Sequence, residues 1–343
     1  YTGYTHLMEN VGQTSNRGVE LSLTGYIMDR PDFTLNATFN IGRNKNKIDK
    51  LARGEKEMVL SSGWAGSQLL NSDDYRAYVG GTTGLIYGFV NDGFYTVDDF
   101  KPFDSKSRTW TLKDGVVNSS PLSGDPRPGN AKFKKLTPVD ENSANPYTLT
   151  DDDRTVIGNT TPKFSGGFGL NATFKGFDVS AFFNFMYDFD VFNANKVMMT
   201  TWASNNYNNF SMDISAAKRW RNFDDMGNEI RYSPEILAEF NKNATMWNPT
   251  SIGRPIAMSY AVEDGSFLRL NTATIGYTLP RAWTNKVGLS RVRFYASGYN
   301  LFTITGYSGY DPEVDIATGL TPNIDNNRYP RSRTYTFGVQ LTF

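Results

Sequence analysis

Few side chains in this 343-residue chain could make or break bonds. His6 is the only histidine and cysteine is absent, which excludes thiolate nucleophiles, disulfides and Cys/His metal sites; the lone imidazole reads as structural. Hydroxyls and carboxylates are plentiful, yet no G-x-S-x-G, H-E-x-x-H or Walker pattern organises them. The remaining chemistry is recognition. Trp64, Trp110, Trp202, Trp220 and Trp247 could stack on sugar rings or peptide side chains. Equally, they could pack loops against each other or against a covering partner. Trp220 lies in Arg219-Trp220-Arg221, a candidate anion or partner contact, or a salt-bridged loop. With 35 basic and 35 acidic residues, there is no electrostatic case for nucleic acid.

The elements that must position these groups are strands. Aromatic residues make up 14% of the chain, and Gly, Asn and Thr recur throughout, which favours strands and turns. Period-two alternation runs through long stretches. Val19, Leu21, Leu23, Gly25 and Ile27 alternate with Glu20, Ser22 and Thr24. Beyond a turn at 29–32, Phe33, Leu35, Ala37, Phe39 and Ile41 resume the pattern. Phe164 to Phe174 and Phe177 to Val191 form a second hairpin around Lys175-Gly176. In Ser266 to Thr278 the first half is out of phase. A bulge at Leu270 or Asn271 would return Leu268 and Leu270 to the face of Ala273, Ile275 and Tyr277, and turn Arg269 to the other side. Arg291 to Phe302 and a last strand through Tyr335, Phe337, Val339, Leu341 and Phe343 complete the set.

The predicted strands cover about 18–28, 33–45, 164–174, 177–191, 266–278, 291–302 and 333–343, with long loops at 46–163, 193–264 and 303–332. Several strands exceed the usual soluble length of about 5–6 residues and reach the roughly 9–11 that cross a bilayer when tilted. Apart from Arg269, no charge interrupts the apolar face; lipid enforces this at about 2–4 kcal/mol per midplane Lys or Arg. Short links on one rim and long loops on the other complete the pattern of an outer-membrane barrel. The expectation is an all-β transmembrane antiparallel barrel, in which the short turns and Phe343 are periplasmic and the tryptophans occupy external loops. Tyr26, Tyr187, Tyr277 and Tyr335 read as interfacial girdle residues. Six N-x-S/T sequons occur; those at Asn36 and Asn171 face the expected lumen, so chance accounts for them. Tyr1 to Gly18 reads as the tail of something already under way. The rival reading is a soluble, secreted β-sandwich binding module; an outer-membrane hydrolase is third, disfavoured by its lack of catalytic groups.

Several blocks resemble the SusC/RagA-type TonB-dependent transporters of Bacteroidetes. Asn16-Arg17-Gly18-Val19-Glu20-Leu21 is similar to their N-K-G-V-E-L strand start, and Ile157-Gly158-Asn159 with Pro162 to their I-G-N-P-x-P. Ser266-Phe267-Leu268-Arg269-Leu270-Asn271 and Ile275-Gly276-Tyr277-Thr278-Leu279-Pro280 resemble S-F-L-R-L-K-N…L-G-Y-T-L-P. Asn300-Leu301-Phe302-Thr303 with Gly309-Tyr310-Asp311-Pro312-Glu313 resembles N-L-F-T…G-x-D-P-E. Tyr329-Pro330 through Arg333, Tyr335, Phe337, Gly338 and Phe343 resembles Y-P-x-x-R-x-Y-x-F-G…F. The blocks span nearly the whole chain in family order.

The resemblance implies that this is the C-terminal seven or so strands of a 22-stranded barrel, with the plug domain absent from this chain. It implies active, non-enzymatic import of a glycan or peptide oligomer through the outer membrane. It further implies a SusD-like surface lipoprotein as lid, TonB contact through an N-terminal part, a dimer of transporter–lid pairs, and Phe343, Leu341 and Tyr335 as a C-terminal barrel-assembly signal. No cofactor is implied. A family loop with the oxygen-rich spacing of a calcium site is matched in part by Asp140, Asn142, Asp151 and Asp153, with Ala144-Asn145 where Asp-Gly belongs.

Overall fold

The computed structural model describes residues 12–70, 73–201, 209–314 and 319–343. Seven long strands follow one another as an antiparallel meander, each hydrogen-bonded to the next in sequence order. They are β1 (Gln13–Arg30), β2 (Phe33–Lys50), β3 (Phe164–Phe174), β4 (Phe177–Tyr187), β5 (Phe267–Thr278), β6 (Arg291–Thr305) and β7 (Thr334–Thr342). The β3–β4 turn places Lys175 and Gly176 at φ 46° and 90°. Positive φ at both central residues matches the right-handed twist of a tight hairpin.

The register sorts the side chains into rows. Gly25, Ala37, Leu170, Ala181, Ala273, Gly298 and Tyr335 are successive partners across all seven strands. The neighbouring row on the opposite face is Tyr26, Asn36, Asn171, Ser180, Thr274, Ser297 and Thr336. On this polar face Asn171 donates to Asn36 at 3.1 Å, and Thr274 and Ser297 share a hydrogen bond at 2.8 Å. On the other face Phe168 stacks on Phe183 at 4.6 Å, yet the band stays open to its surroundings. Val19 is 77% and Phe337 79% exposed. So wide an apolar surface does not persist bare in water.

Register shifts adjust the faces. Asn271 is skipped in the pairing of β5 with both neighbours, so Leu268 and Leu270 join Ala273 and Ile275, while Arg269 pairs with Asn184 on the polar face. A second bulge, absent from the sequence reading, skips Ile27 and puts Met28 opposite Leu35. Tyr26, ahead of that bulge and opposite Asn36, keeps the parity of Ser22 and Thr24 and so sits on the polar face, not in an outer girdle.

Two further expectations change. The run 177–191 is not one strand: Asp188 takes φ 60° and the chain leaves the sheet after Tyr187. Phe189 and Val191, placed on the outer face by parity, are buried with Phe267, Tyr307 and Val314. The long loops are also not irregular. Among the described residues they carry three small sheets and a shared core that includes Tyr75, Ile86, Phe133, Phe192, Trp247 and Met258. One of these sheets joins the second and third loops: Asp190–Asn193 pairs antiparallel with Val262–Asp264 and parallel with Ile324–Asp325. The first loop is tied in through Phe89, whose amide donates to the Ala257 carbonyl and whose carbonyl accepts from the Ser259 amide, both at 2.9 Å.

Candidate functional site

The polar face and the loop body at its long-loop end form the candidate site. On the strands, Arg293 of β6 reaches over β5 to Asp178 of β4, donating from Nε at 2.9 Å. Gly276 lies beneath; a Cβ there would stand 2.5 Å from the guanidinium, so only glycine leaves the crossing open. At the loop end Arg269, 3% exposed, points inward from β5 to the segment after β6. Its Nη1 donates to Asp311 at 3.3 Å and Nη2 at 2.5 Å. Its Nε lies 3.0 Å from Glu313, which Arg331 approaches at 3.3 Å. Burial would push the Asp311 carboxyl up, but hydrogen bonds from Arg269 and from the Glu313 amide hold it below the usual carboxylate range.

The loops are fastened to each other through buried polar groups. Tyr307 donates to Asp325 at 2.7 Å, and Asn195 to the same carboxylate at 3.1 Å. Glu263 accepts from Ser308 at 2.8 Å and from Asn193 at 3.2 Å, with Lys196 at 3.3 Å.

The sequence-selected residues separate into groups. Trp64 packs on Phe192 at 5.5 Å, and Trp247 on Tyr260 at 4.8 Å with Nε1 donating to the Thr200 carbonyl. Trp220 packs on Phe94 at 5.7 Å. All three are at most 9% exposed, so they hold the loop body together and present no ring face to a ligand. Trp110, half-buried between Phe100 and Phe103 at 5.5 and 4.8 Å, remains partly open. Trp202 and His6 lie outside the described residues. Tyr335, Leu341 and Phe343 are all on the exposed apolar side of β7 or just past it.

Asp153 is a structural latch. It is fully buried and paired with Lys135 at 3.3 Å. It accepts from the amides of Leu136, Thr137 and Thr150 at 2.8–2.9 Å. Burial alone would raise its pKa, but the Thr137 amide and hydroxyl, with the other donors, lower it from 3.8 to about 2. A carboxyl with a lower pKa folded than unfolded stabilises the fold above the unfolded value, and that contribution disappears as pH falls towards the folded value. Asp153→Asn should therefore cost about 2 kcal/mol near neutral pH. The expected readout is faster hydrogen exchange at Leu136 and Thr137, with the wild type losing the same protection between pH 4 and 2. Asp140 accepts from the Asn142 amide within its own turn at 3.0 Å. Among the described residues no three His, Cys, Asp or Glu side chains gather as a metal site.

The sequence reading missed a cleft in the loop body with a volume of about 820 Å³. Arg108, Arg127, Arg231 and Arg254 line it together with Trp110, Tyr232 and one carboxylate, Asp125. These residues come from two loops and share no motif, so only folding brings them together.

Comparison with known proteins agrees with this architecture. No family model matches the chain. It is 30% identical over 349 residues to TonB-dependent receptor P3 of Formosa agariphila, covering 100% of this chain and 30% of that protein. It is 24% identical over 344 residues to TonB-dependent receptor SusC of Bacteroides thetaiotaomicron, covering 98% of this chain and 27% of SusC. Among solved structures, the RagAB peptide transporter shares the fold with a TM-score of 0.61 at 24% identity, covering 100% of this chain and 31% of that one. The chain spans about 30% of the length of the curated relatives it matches. Over its whole length the chain is homologous to TonB-dependent receptors, SusC among them, and corresponds to a part of such a receptor.

Proposed function

We propose that the chain forms the C-terminal part of the barrel wall, and the outer vestibule, of a transporter that imports an oligomeric nutrient across the bacterial outer membrane. One observation carries this reading: a seven-stranded sheet with a wide, exposed apolar band on one face, a polar face on the other, and both edge strands without a partner in the sheet. A bare 18-residue edge such as β1 templates aggregation in water. In a barrel it is covered by further strands, and the apolar face by lipid. The relatives' names support TonB-dependent uptake, and a RagAB-like arrangement supports a SusD-like lipoprotein as lid. In this reading the short turns and Phe343 face the periplasm, and TonB acts through a plug outside this chain. The chain itself binds and gates, making and breaking no bonds.

Deleting the complete gene should abolish growth on at least one glycan or peptide oligomer, as read by uptake of each candidate. Unchanged uptake of every one would sink the import reading. Solubility without detergent, with no heat-modifiable migration on a denaturing gel, would instead favour the soluble sandwich.

A further inference from the structure

We propose that the cleft lined by Arg108 and Arg127 binds an acidic oligosaccharide through its carboxylate or sulfate groups; as a substrate class, this rests on the import reading. Charge comes first. Arg108 and Arg127 are exposed, and among the described residues neither is within ion-pair distance of a carboxylate. Arg231 is paired with Glu229 at 2.5 Å, and Arg254 donates to the Gln68 and Leu69 carbonyls at 3.2 and 3.1 Å. Asp125 is the only acid in the lining, so the cleft carries excess positive charge although the whole chain is neutral. A guanidinium presents paired donors in a plane, which suits carboxylate and sulfate oxygens.

Position comes second. Arg127 is held between Pro126 and Pro128, which limits its backbone freedom. Arg108 lies over the Tyr232 ring at 5.4 Å, and that ring stacks on Phe103 at 6.1 Å. The donors are therefore partly ordered before a ligand arrives.

Shape decides between sugar and peptide. None of the lining residues belongs to a strand, so there is no sheet edge for a peptide to extend. Leu122 and Leu237 are buried and offer no apolar side-chain pocket. Trp110, only half-buried, offers an aromatic surface beside the guanidiniums, as a sugar ring requires. The volume of about 820 Å³ is within the range of small-ligand sites and leaves room for part of an oligomer.

The test uses the complete receptor, purified in detergent and titrated calorimetrically with four probes of matched length. These are an oligogalacturonate, a sulfated galactan oligomer, a neutral malto-oligosaccharide and an oligoglutamate peptide. At least one acidic sugar should bind, more weakly as salt rises. In the double variant Arg108→Gln/Arg127→Gln its affinity should fall about tenfold or more, two charge-assisted contacts being lost. Arg108→Lys/Arg127→Lys should fall less. Whichever acidic sugar binds identifies carboxylate or sulfate as the group recognised. Both positions are on the surface, and unchanged heat-modifiable migration would confirm an intact barrel. Equal affinity in the Gln double variant, tighter binding of the peptide or neutral sugar, or no binding of either acidic sugar would overturn the proposal. Arg-dependent binding by a receptor whose deletion leaves uptake unchanged would instead fail the import reading and leave the site standing.

Discussion

Arg269→Met should be the most damaging single substitution on the polar face, costing about 3–5 kcal/mol. That is the usual penalty for removing one partner from a buried ion pair and stranding the other. Asp311 and Glu313, both under 10% exposed at the side chain, would keep their charges with only the Arg331 guanidinium as a cation at hand, and that guanidinium pairs with Glu313. Most of the penalty is the cost of a buried charge without its partner, so removing the charges together should recover much of it. The triple variant Arg269→Met/Asp311→Asn/Glu313→Gln is therefore expected to lie closer to wild type than the single one. The readouts are the temperature at which the folded band is lost on a denaturing gel, and protease cleavage within 306–333. A single-variant loss below about 1 kcal/mol, or a triple variant worse than the single, would contradict the assignment of Arg269 as the anchor of that segment.

The second large effect lies on the opposite face. Leu170, 43% exposed, sits mid-strand between Ala37 and Ala181, in the middle of the apolar band. Leu170→Arg should cost about 2–4 kcal/mol, the midplane penalty for a cation facing lipid, and lower the amount of receptor assembled in the outer membrane. Asn171→Arg, one residue on and facing inward, should cost far less, because its surroundings are polar. Equal losses at the two positions would remove the case that one face meets lipid.

These two faces were legible in the sequence because lipid and lumen impose opposite chemistry on alternate residues for ten or more positions at a time. Even the Asn271 bulge was legible, since Leu268 and Leu270 break phase with Ala273 and Ile275. The Ile27 bulge was not, because both Tyr26 and Ile27 are plausible at a membrane rim. Nor was the departure of the chain after Tyr187. Phe189 and Val191 keep the alternation, and the change of direction depends on the backbone of Asp188. The loop body was opaque for a different reason. Its strands are 2–5 residues long, too short to show a period, and its core gathers single residues such as Tyr75, Phe133 and Met258 from distant positions. The tryptophans followed suit: composition marks Trp64, Trp220 and Trp247 as large aromatics, but only packing shows them enclosed. The arginines of the cleft are individually ordinary, and their meaning lies in sharing one cleft in which Arg108 and Arg127 have no carboxylate within ion-pair distance among the described residues.

The small sheet that takes two short strands from the second long loop and one from the third has a thermodynamic consequence. Because Phe192 and Asn193 pair with Ile324 and Asp325, and Phe89 of the first loop exchanges backbone hydrogen bonds with Ala257 and Ser259 of the second, no loop can open without breaking bonds to another. The three segments therefore share one opening equilibrium and behave as a cooperative unit in hydrogen exchange. Free energy released where a ligand touches one loop is distributed to all three. A vestibule built in this way reports occupancy to its whole rim through linkage alone, with no relay of side chains between the bound ligand and the segment that responds.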